Sequence, residues 1–349
     1  MNKKQNIKVG ISLGDPNGIG GEIILKAFED NQMLELYTPV IFASTKLLSY
    51  YIKTFNLNIK IHGINSLDDI VDGKINVVRL IKEPFIVNWG TVDAEAGELA
   101  IKSLKAATAA LKENQIDVLV TAPIHKESIQ SEDFKFPGHT DYLNQELEGE
   151  SLMFMVSEDI RVGLLTDHVP IKEVANQITE KLIKTKIGTI KESLKKDFGI
   201  IKPKIAVLGI NPHVGDNGVI GTEDQEKLIP ALEELRKDGT LIFGPYPADS
   251  FFGNKKHLQF DAILASYHDQ GLVPFKTIAF GAGVNYTAGL SHVRTSPDHG
   301  TGFDIAGKGE ASPSSFIAAI HSACAVFKHR NMFEELTVNP LKNLSKKRR

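Results

Sequence analysis

The sequence predicts an α/β protein built on a mostly parallel sheet. Three observations carry that prediction. Short runs rich in Val and Ile recur along the chain, segments of helical period separate them, and the unusual ionisable residues gather just after the runs. Continuous apolar runs suit strands buried on both faces, the condition of a parallel sheet covered by helices. Alternation of this kind over 349 residues leaves room for two domains or one large one.

The elements follow in order. A strand over 7–13 (IKVGISL) leads into the glycine-rich turn GDPNGIGGEI and a helix over 20–30. Strands over 39–43 (PVIFA) and 75–80 (INVVRL) precede a helix over 93–115 and a strand over 116–122 (IDVLVTA). The Pro-Gly turn in FPGHTDYL, 136–143, opens a further helix, with Thr140 able to serve as its N-cap. A strand over 161–166 (RVGLLT) is followed by helical period over 171–197, then a strand over 204–210 (KIAVLGI) and a helix over 222–238. Thr222, with Gln225 three residues on, reads as a capping box. The last strand, 260–266 (FDAILAS), runs into YHDQGLVPFK, where Gly271 reads as the residue that turns the chain. Ser312-Pro313 then opens a helix over 312–336, with proline at its first position.

Composition narrows the function classes. Hydrophobic content of 42%, charged content of 24% and a net charge of -3 describe a soluble globular protein and exclude a nucleic-acid binder. The basic cluster SKKRR, 345–349, reads as a solvated tail. The single cysteine, Cys324, excludes an intrachain disulfide and a Cys-rich metal site, and its apolar surroundings read as a buried helical thiol. The apolar run at the N-terminus is too short and broken for a signal peptide. Nothing approaches the roughly 18 apolar residues of a membrane span. A cytoplasmic protein with no membrane partner is expected.

In parallel α/β sheets ligands collect beyond the carboxyl ends of the strands. Three histidines fall there: His168 after VGLLTD, His213 after IAVLGINP and His268 after DAILASY. Neutral imidazole is a common ligand of divalent transition metals, and three protein ligands with an open position describe a catalytic site. Asp167 and Asp269 each adjoin a candidate ligand and suit an orienting or acid–base role. Lys276, Asn285 and Arg294 follow, amid glycines, as a set suited to a small anionic substrate bearing phosphate or carboxylate. His139 and Thr140 sit at a helix start, which favours an anion. The glycines of GDPNGIGGEI do not spell the dinucleotide fingerprint. The stretch DHGTGFDIAGKGEASP, 298–313, is too rich in Gly for a mere connection.

Together GDPNGIGGE, VTAPIHKE, FPGHTDYL, NPHVGDNG, YHDQGLVPFK and RTSPDHGTGFDIAGKG resemble the 4-hydroxythreonine-4-phosphate dehydrogenase family of pyridoxal phosphate biosynthesis, in order from about residue 7 to about 330. The last block also resembles the adenine-side loop of isocitrate and isopropylmalate dehydrogenases, whose fold that family shares. The resemblance implies two α/β/α domains with the site in the cleft between them, the cofactor side at 1–125 with 300–349 and the metal, substrate and dimer side at 126–299. It implies NAD or NADP on Gly300, Asp304 and Gly307. A divalent metal (Zn, Mg or Co) would sit on His168, His213 and His268. The substrate, a small phosphorylated amino acid, would meet His139, Thr140, Lys276, Asn285 and Arg294. Asp249, Asp269 and Lys276 are the candidates for acid–base or hydrogen-bonding duty. A homodimer sharing the metal site between subunits is implied as well. Where the family often has Glu, Pro and Asn, this chain has Asp141, Gly21 and His125. Two alternatives are a paralogue acting on 4-phospho-D-threonate or 4-phospho-D-erythronate, and a metal-dependent hydrolase or lyase without nicotinamide.

Overall fold

The computed structural model describes residues 6–80 and 84–339, so the basic cluster at 345–349 lies outside the described residues. Twelve strands form one sheet. They are β1 (Ile7–Ser12), β2 (Tyr37–Ala43), β3 (Ile61–Ile64), β4 (Ile75–Arg79), β5 (Val118–Thr121) and β6 (Gly149–Val156). The second six are β7 (Arg161–Leu164), β8 (Ile205–Leu208), β9 (Ile242–Tyr246), β10 (Ala262–Ala265), β11 (Val284–Leu290) and β12 (Arg294–Pro297). The sheet order is β3-β4-β2-β1-β5-β12-β11-β6-β7-β10-β8-β9. Pairing is parallel from β3 to β12 and from β7 to β9, while β11 runs antiparallel to both β12 and β6, and β6 antiparallel to β7. The two parallel blocks therefore point in opposite directions.

The helices are α1 (Gly20–Lys26), α2 (Gln32–Leu36), α3 (Thr45–Thr54), α4 (Ala94–Lys112), α5 (His139–Glu146) and α6 (Val174–Gln177). They continue as α7 (Glu180–Lys196), α8 (Ile229–Lys237), α9 (Ala248–Gly253), α10 (His268–Ile278) and α11 (Ser314–Thr337). Every strand expected from the apolar runs is present. Five others are present: β3, β9, β11 and β12 are short or interrupted by polar, proline or glycine residues and are made by pairing with neighbours, whereas β6 carries an apolar run, LMFMV, without the Val and Ile richness that marks the rest.

The core explains where the site lies. On one sheet face a single buried cluster runs the whole width, from Val9 and Ile41 through Tyr286 to Leu264, under α7 and α11. On the other face the apolar residues split in two. One cluster gathers Leu104, Leu119 and Tyr142; the other gathers Met155, Val162 and Phe275. A gap opens between them over β5, β12, β11 and β6.

Three local expectations are corrected. Gly271 does not turn the chain. It lies inside α10, where a Cβ would come within 2.8 Å of Leu164 and 2.9 Å of Ala265, so glycine serves close packing of the helix on β7 and β10. No capping box forms at Thr222: Gln225 instead donates to the Val214 carbonyl at 3.0 Å, and 224–228 is a π-helical turn leading into α8. The helical period over 171–197 breaks at Ile178, after which Thr179 caps α7 by accepting from the Leu182 N–H at 3.2 Å. Cys324 is buried in α11 as expected.

Candidate active site

The gap in the core is a cleft of about 720 Å³. Its floor is the sheet itself. Alternation along β6 aims Met153 and Met155 into the cleft while Leu152, Phe154 and Val156 join the opposite core. On β11 and β12 the same period brings Asn285, Arg294 and Ser296 to the cleft and sends Val284 and Tyr286 the other way. Asn285 pairs with Ser296 on one side and Met155 on the other. The start of α5 supplies His139 and Thr140, and α10 supplies Leu272 and Lys276. Gly138, not Thr140, caps α5, which leaves Thr140 in the first turn facing the cleft.

Arg294 dominates the electrostatics. Its guanidinium is fully buried, donates to Thr121 Oγ1 at 3.2 and 2.6 Å and to Thr287 Oγ1 at 3.0 Å, and pairs with no carboxylate among the described residues. Burial pulls it down to about 9, so it remains a cation at neutral pH. Burial, reinforced by that charge, holds His139 well below its ordinary value and keeps its imidazole neutral. Among the described residues, three buried polar atoms facing the cleft lack any hydrogen-bond partner: His139 Nε2, Asn285 Oδ1 and His299 Nε2. Buried polar atoms are normally paired, so such a set marks a place where a ligand supplies the partners. Lys276 Nζ lies 3.1 Å from Asp298 Oδ1 at the cleft wall. The five substrate-binding expectations thus meet in one cleft.

The histidines fall at one edge. His168, His268 and His213 follow β7, β10 and β8, three neighbouring parallel strands. His168 lines the cleft, and its ring lies 5.8 Å from that of His268, centroid to centroid. Burial first, and the charge of Lys126 second, hold His168 below its usual value, which favours the neutral form a metal takes. His268 Nδ1 is 2.7 Å from Asp269 Oδ1, so only Nε2 is free to coordinate. Gln270 fixes the start of α10 by accepting from the Ser266 N–H at 2.6 Å and donating to the Gly209 carbonyl at 2.7 Å.

His213 does not join the pair. It is exposed, outside the cleft lining, in a left-handed backbone conformation (φ 52°), on a loop that Asp224 anchors through the Ile210 and Asn211 N–H groups at 2.8 and 2.9 Å. Among the described residues no group of three or more His, Cys, Asp or Glu is arranged to hold a metal ion. Two imidazoles and an orienting carboxylate suit a divalent metal and leave its ligand set short of the third histidine. Asp249 stands exposed in the first turn of α9, away from the cleft lining.

The cofactor candidates lie on the loop after β12, where Gly300 lines the cleft and Asp304 is exposed. Gly307 (φ 78°) rests on Trp89, where a Cβ would come within 2.6 Å of the indole. The first glycine-rich turn is bound to this loop: the Ile19 N–H donates to the Thr301 carbonyl at 2.9 Å, and a Cβ on Gly18 would meet that same oxygen at 2.7 Å. His125 stacks on Phe303, centroids 5.2 Å apart and 14° between planes. Two glycine-rich segments distant in sequence thus form one surface beside the cleft, suited to close approach of a dinucleotide backbone.

A sequence model of the pyridoxal phosphate biosynthetic protein PdxA matches residues 35–323. Over 342 residues the chain is 46% identical to the 4-hydroxythreonine-4-phosphate dehydrogenase of Bacteroides thetaiotaomicron, covering 97% of this chain and 94% of that protein. It is 36% identical over 327 residues to a D-threonate 4-phosphate dehydrogenase from Cupriavidus necator, covering 92% of this chain and 98% of that one. The crystal structure of 4-hydroxythreonine-4-phosphate dehydrogenase from Klebsiella pneumoniae superposes with a TM-score of 0.80 at 32% identity, over 94% of this chain and 99% of that one.

Proposed function

The chain belongs to the PdxA family of pyridoxal phosphate biosynthetic proteins, and from that premise we propose that it is an oxidoreductase acting on 4-phosphooxy-L-threonine. C3 is oxidised to give 2-amino-3-oxo-4-phosphooxybutanoate, which loses CO2 to give 3-amino-2-oxopropyl phosphate. The observation that carries the reading is Arg294: a buried guanidinium without a carboxylate among the described residues, facing a cleft with unpartnered His139 and Asn285 atoms, is built for a small anion.

A divalent ion would be held by His168 and His268, with His213 reaching it across a subunit interface as the third ligand, and would supply Lewis acidity at an alcohol oxygen; NAD(P) on the Gly300–Asp304–Gly307 loop would supply the hydride acceptor. The chain's own residues do the rest. Arg294 and Lys276 hold the two anionic ends of the substrate and so orient C3. Asn285 Oδ1 accepts from the amine or a hydroxyl, and the neutral imidazole of His139 offers Nε2 as a further partner. Met153 and Met155 present an apolar floor that keeps water from the reacting carbon. Asp269 fixes the His268 ring through Nδ1. The shared third ligand accounts for His213 lying outside the cleft, and a homodimer is part of the proposal. The cofactor belongs to 1–125 with 300–349, and metal and substrate to 126–299.

The test is a substrate profile with both nucleotides and a divalent metal. Reduced nucleotide is expected with 4-phosphooxy-L-threonine; turnover confined to 4-phospho-D-threonate or 4-phospho-D-erythronate would replace the substrate. No nucleotide binding, with or without substrate, would point to a metal-dependent hydrolase or lyase. His213→Ala is expected to abolish activity with the fold retained, and chelators to mimic it reversibly.

A further inference from the structure

Among the described residues the cleft contains one ion pair, Lys276 with Asp298, and its two members are held very differently. The Asp298 N–H donates to Ser315 Oγ at 3.0 Å, and that hydroxyl donates to the Gly283 carbonyl at 2.7 Å. A Cβ on Gly283 would lie 2.7 Å from Asp298 Oδ2, so the carboxylate fills the space a side chain there would take. On the cleft side, Lys276 Nζ lies 3.1 Å from Asp298 Oδ1 and 3.1 Å from the Asp298 carbonyl. The Asp298 side chain is 17% exposed and that of Lys276 is 52%. The acid is the fixed member and the amine the movable one. Burial pushes the Asp298 carboxyl above its ordinary value, and Lys276 opposes that shift.

We propose that Asp298 is a positioning residue: it docks the Lys276 ammonium at the cleft wall and cancels its charge, leaving Arg294 as the cation that captures the substrate's anion and Lys276 as a fixed second contact. This rests on the reading above in that Lys276 touches an anionic end of the substrate. A carboxamide at 298 keeps the shape but frees the ammonium, which then follows the anion. Ground-state binding tightens while turnover falls, the opposite of what a merely structural loss produces.

Calorimetric titration of inorganic phosphate into the protein, paired with steady-state kinetics, tests this. Asp298→Asn is expected to tighten phosphate binding by about fivefold, the scale of one partly exposed ion pair. Its kcat is expected to fall about tenfold as the second contact loses its place. Asp298→Glu, which retains the charge, should return phosphate affinity to within about twofold of the parent. In a Lys276→Gln background the Asp298→Asn change should shift phosphate affinity by less than about 1.5-fold, because the acid acts through the lysine. Unchanged or weaker phosphate binding in a folded Asp298→Asn protein overturns the proposal, as does an effect that persists without Lys276. Should Asp298→Asn not fold, Lys276→Gln alone decides: a cancelled charge predicts a phosphate loss under about threefold, and a larger loss overturns it. The phosphate titration needs neither nucleotide nor the named substrate, so a protein inactive on 4-phosphooxy-L-threonine leaves this test standing.

Discussion

Two arginines of this chain are buried to nearly the same degree and face opposite sides of the sheet. Arg330, on α11, donates to Asp197 Oδ1 at 2.7 Å, to the Tyr286 hydroxyl at 2.9 Å and to the Ser291 carbonyl at 2.9 Å. Asp197 also accepts from Ser193 and Tyr286 hydroxyls, both at 2.6 Å, so every member of that network has a partner. Burial alone would lower Arg330, but its interactions with the Tyr286 hydroxyl and the Asp197 carboxylate outweigh it and the net shift is upward. Among the described residues Arg294 has two threonine hydroxyls and no anion, and its net shift is downward. A buried charge that is paired is committed to the fold, whereas one left unpaired holds its capacity for something that arrives.

The comparison can be broken by mutation. Arg330→Met should cost about 4 kcal/mol in urea unfolding, because it leaves the Asp197 carboxylate buried without its cation. Turnover is expected to be retained in whatever fraction stays folded. Arg294→Met should do the reverse. Its kcat/KM is expected to fall about a hundredfold, equal to about 2.7 kcal/mol of transition-state stabilisation, while unfolding free energy changes by less than about 1 kcal/mol. Comparable destabilisation by the two variants would make Arg294 structural and end the contrast. The smallest effect sharpens it through pH. His139, neutral in the fold beside Arg294, takes up a proton below about pH 6.5 only when unfolded. The unfolded state then binds more protons, so stability is intact above that pH and declines as pH falls below it, by at most about 1.4 kcal/mol per pH unit for one group. Urea midpoints at two pH values should show that decline shrink in His139→Gln; an unchanged slope would mean the imidazole is charged in the fold.

The parallel framework was legible because strands buried on both faces must be apolar throughout, as in 204–210 and 260–266. The ionisable residues were legible for the complementary reason: polar groups placed just after such runs have no role in the core. Less visible were β11 and β12. VNYTAGL and RTSP are half polar because one face of each lines the cleft, and the alternation that signals a strand is there the alternation of a binding site. Asp298 does not stand out within its glycine-rich loop, since its meaning lies in Gly283 and Lys276, neither adjacent in sequence.

The amino-acid order alone determined which segments are buried and which residues stand at strand ends, because burial and period are local properties of the chain. Which of those residues meet was decided by the tertiary structure. Strand order set His168 beside His268, the loop after β8 left His213 outside the cleft although its strand adjoins β10, and the split core opened the cleft over Arg294. Contact between distant residues depends on how the sheet is ordered and how its faces are covered, and no local pattern encodes either.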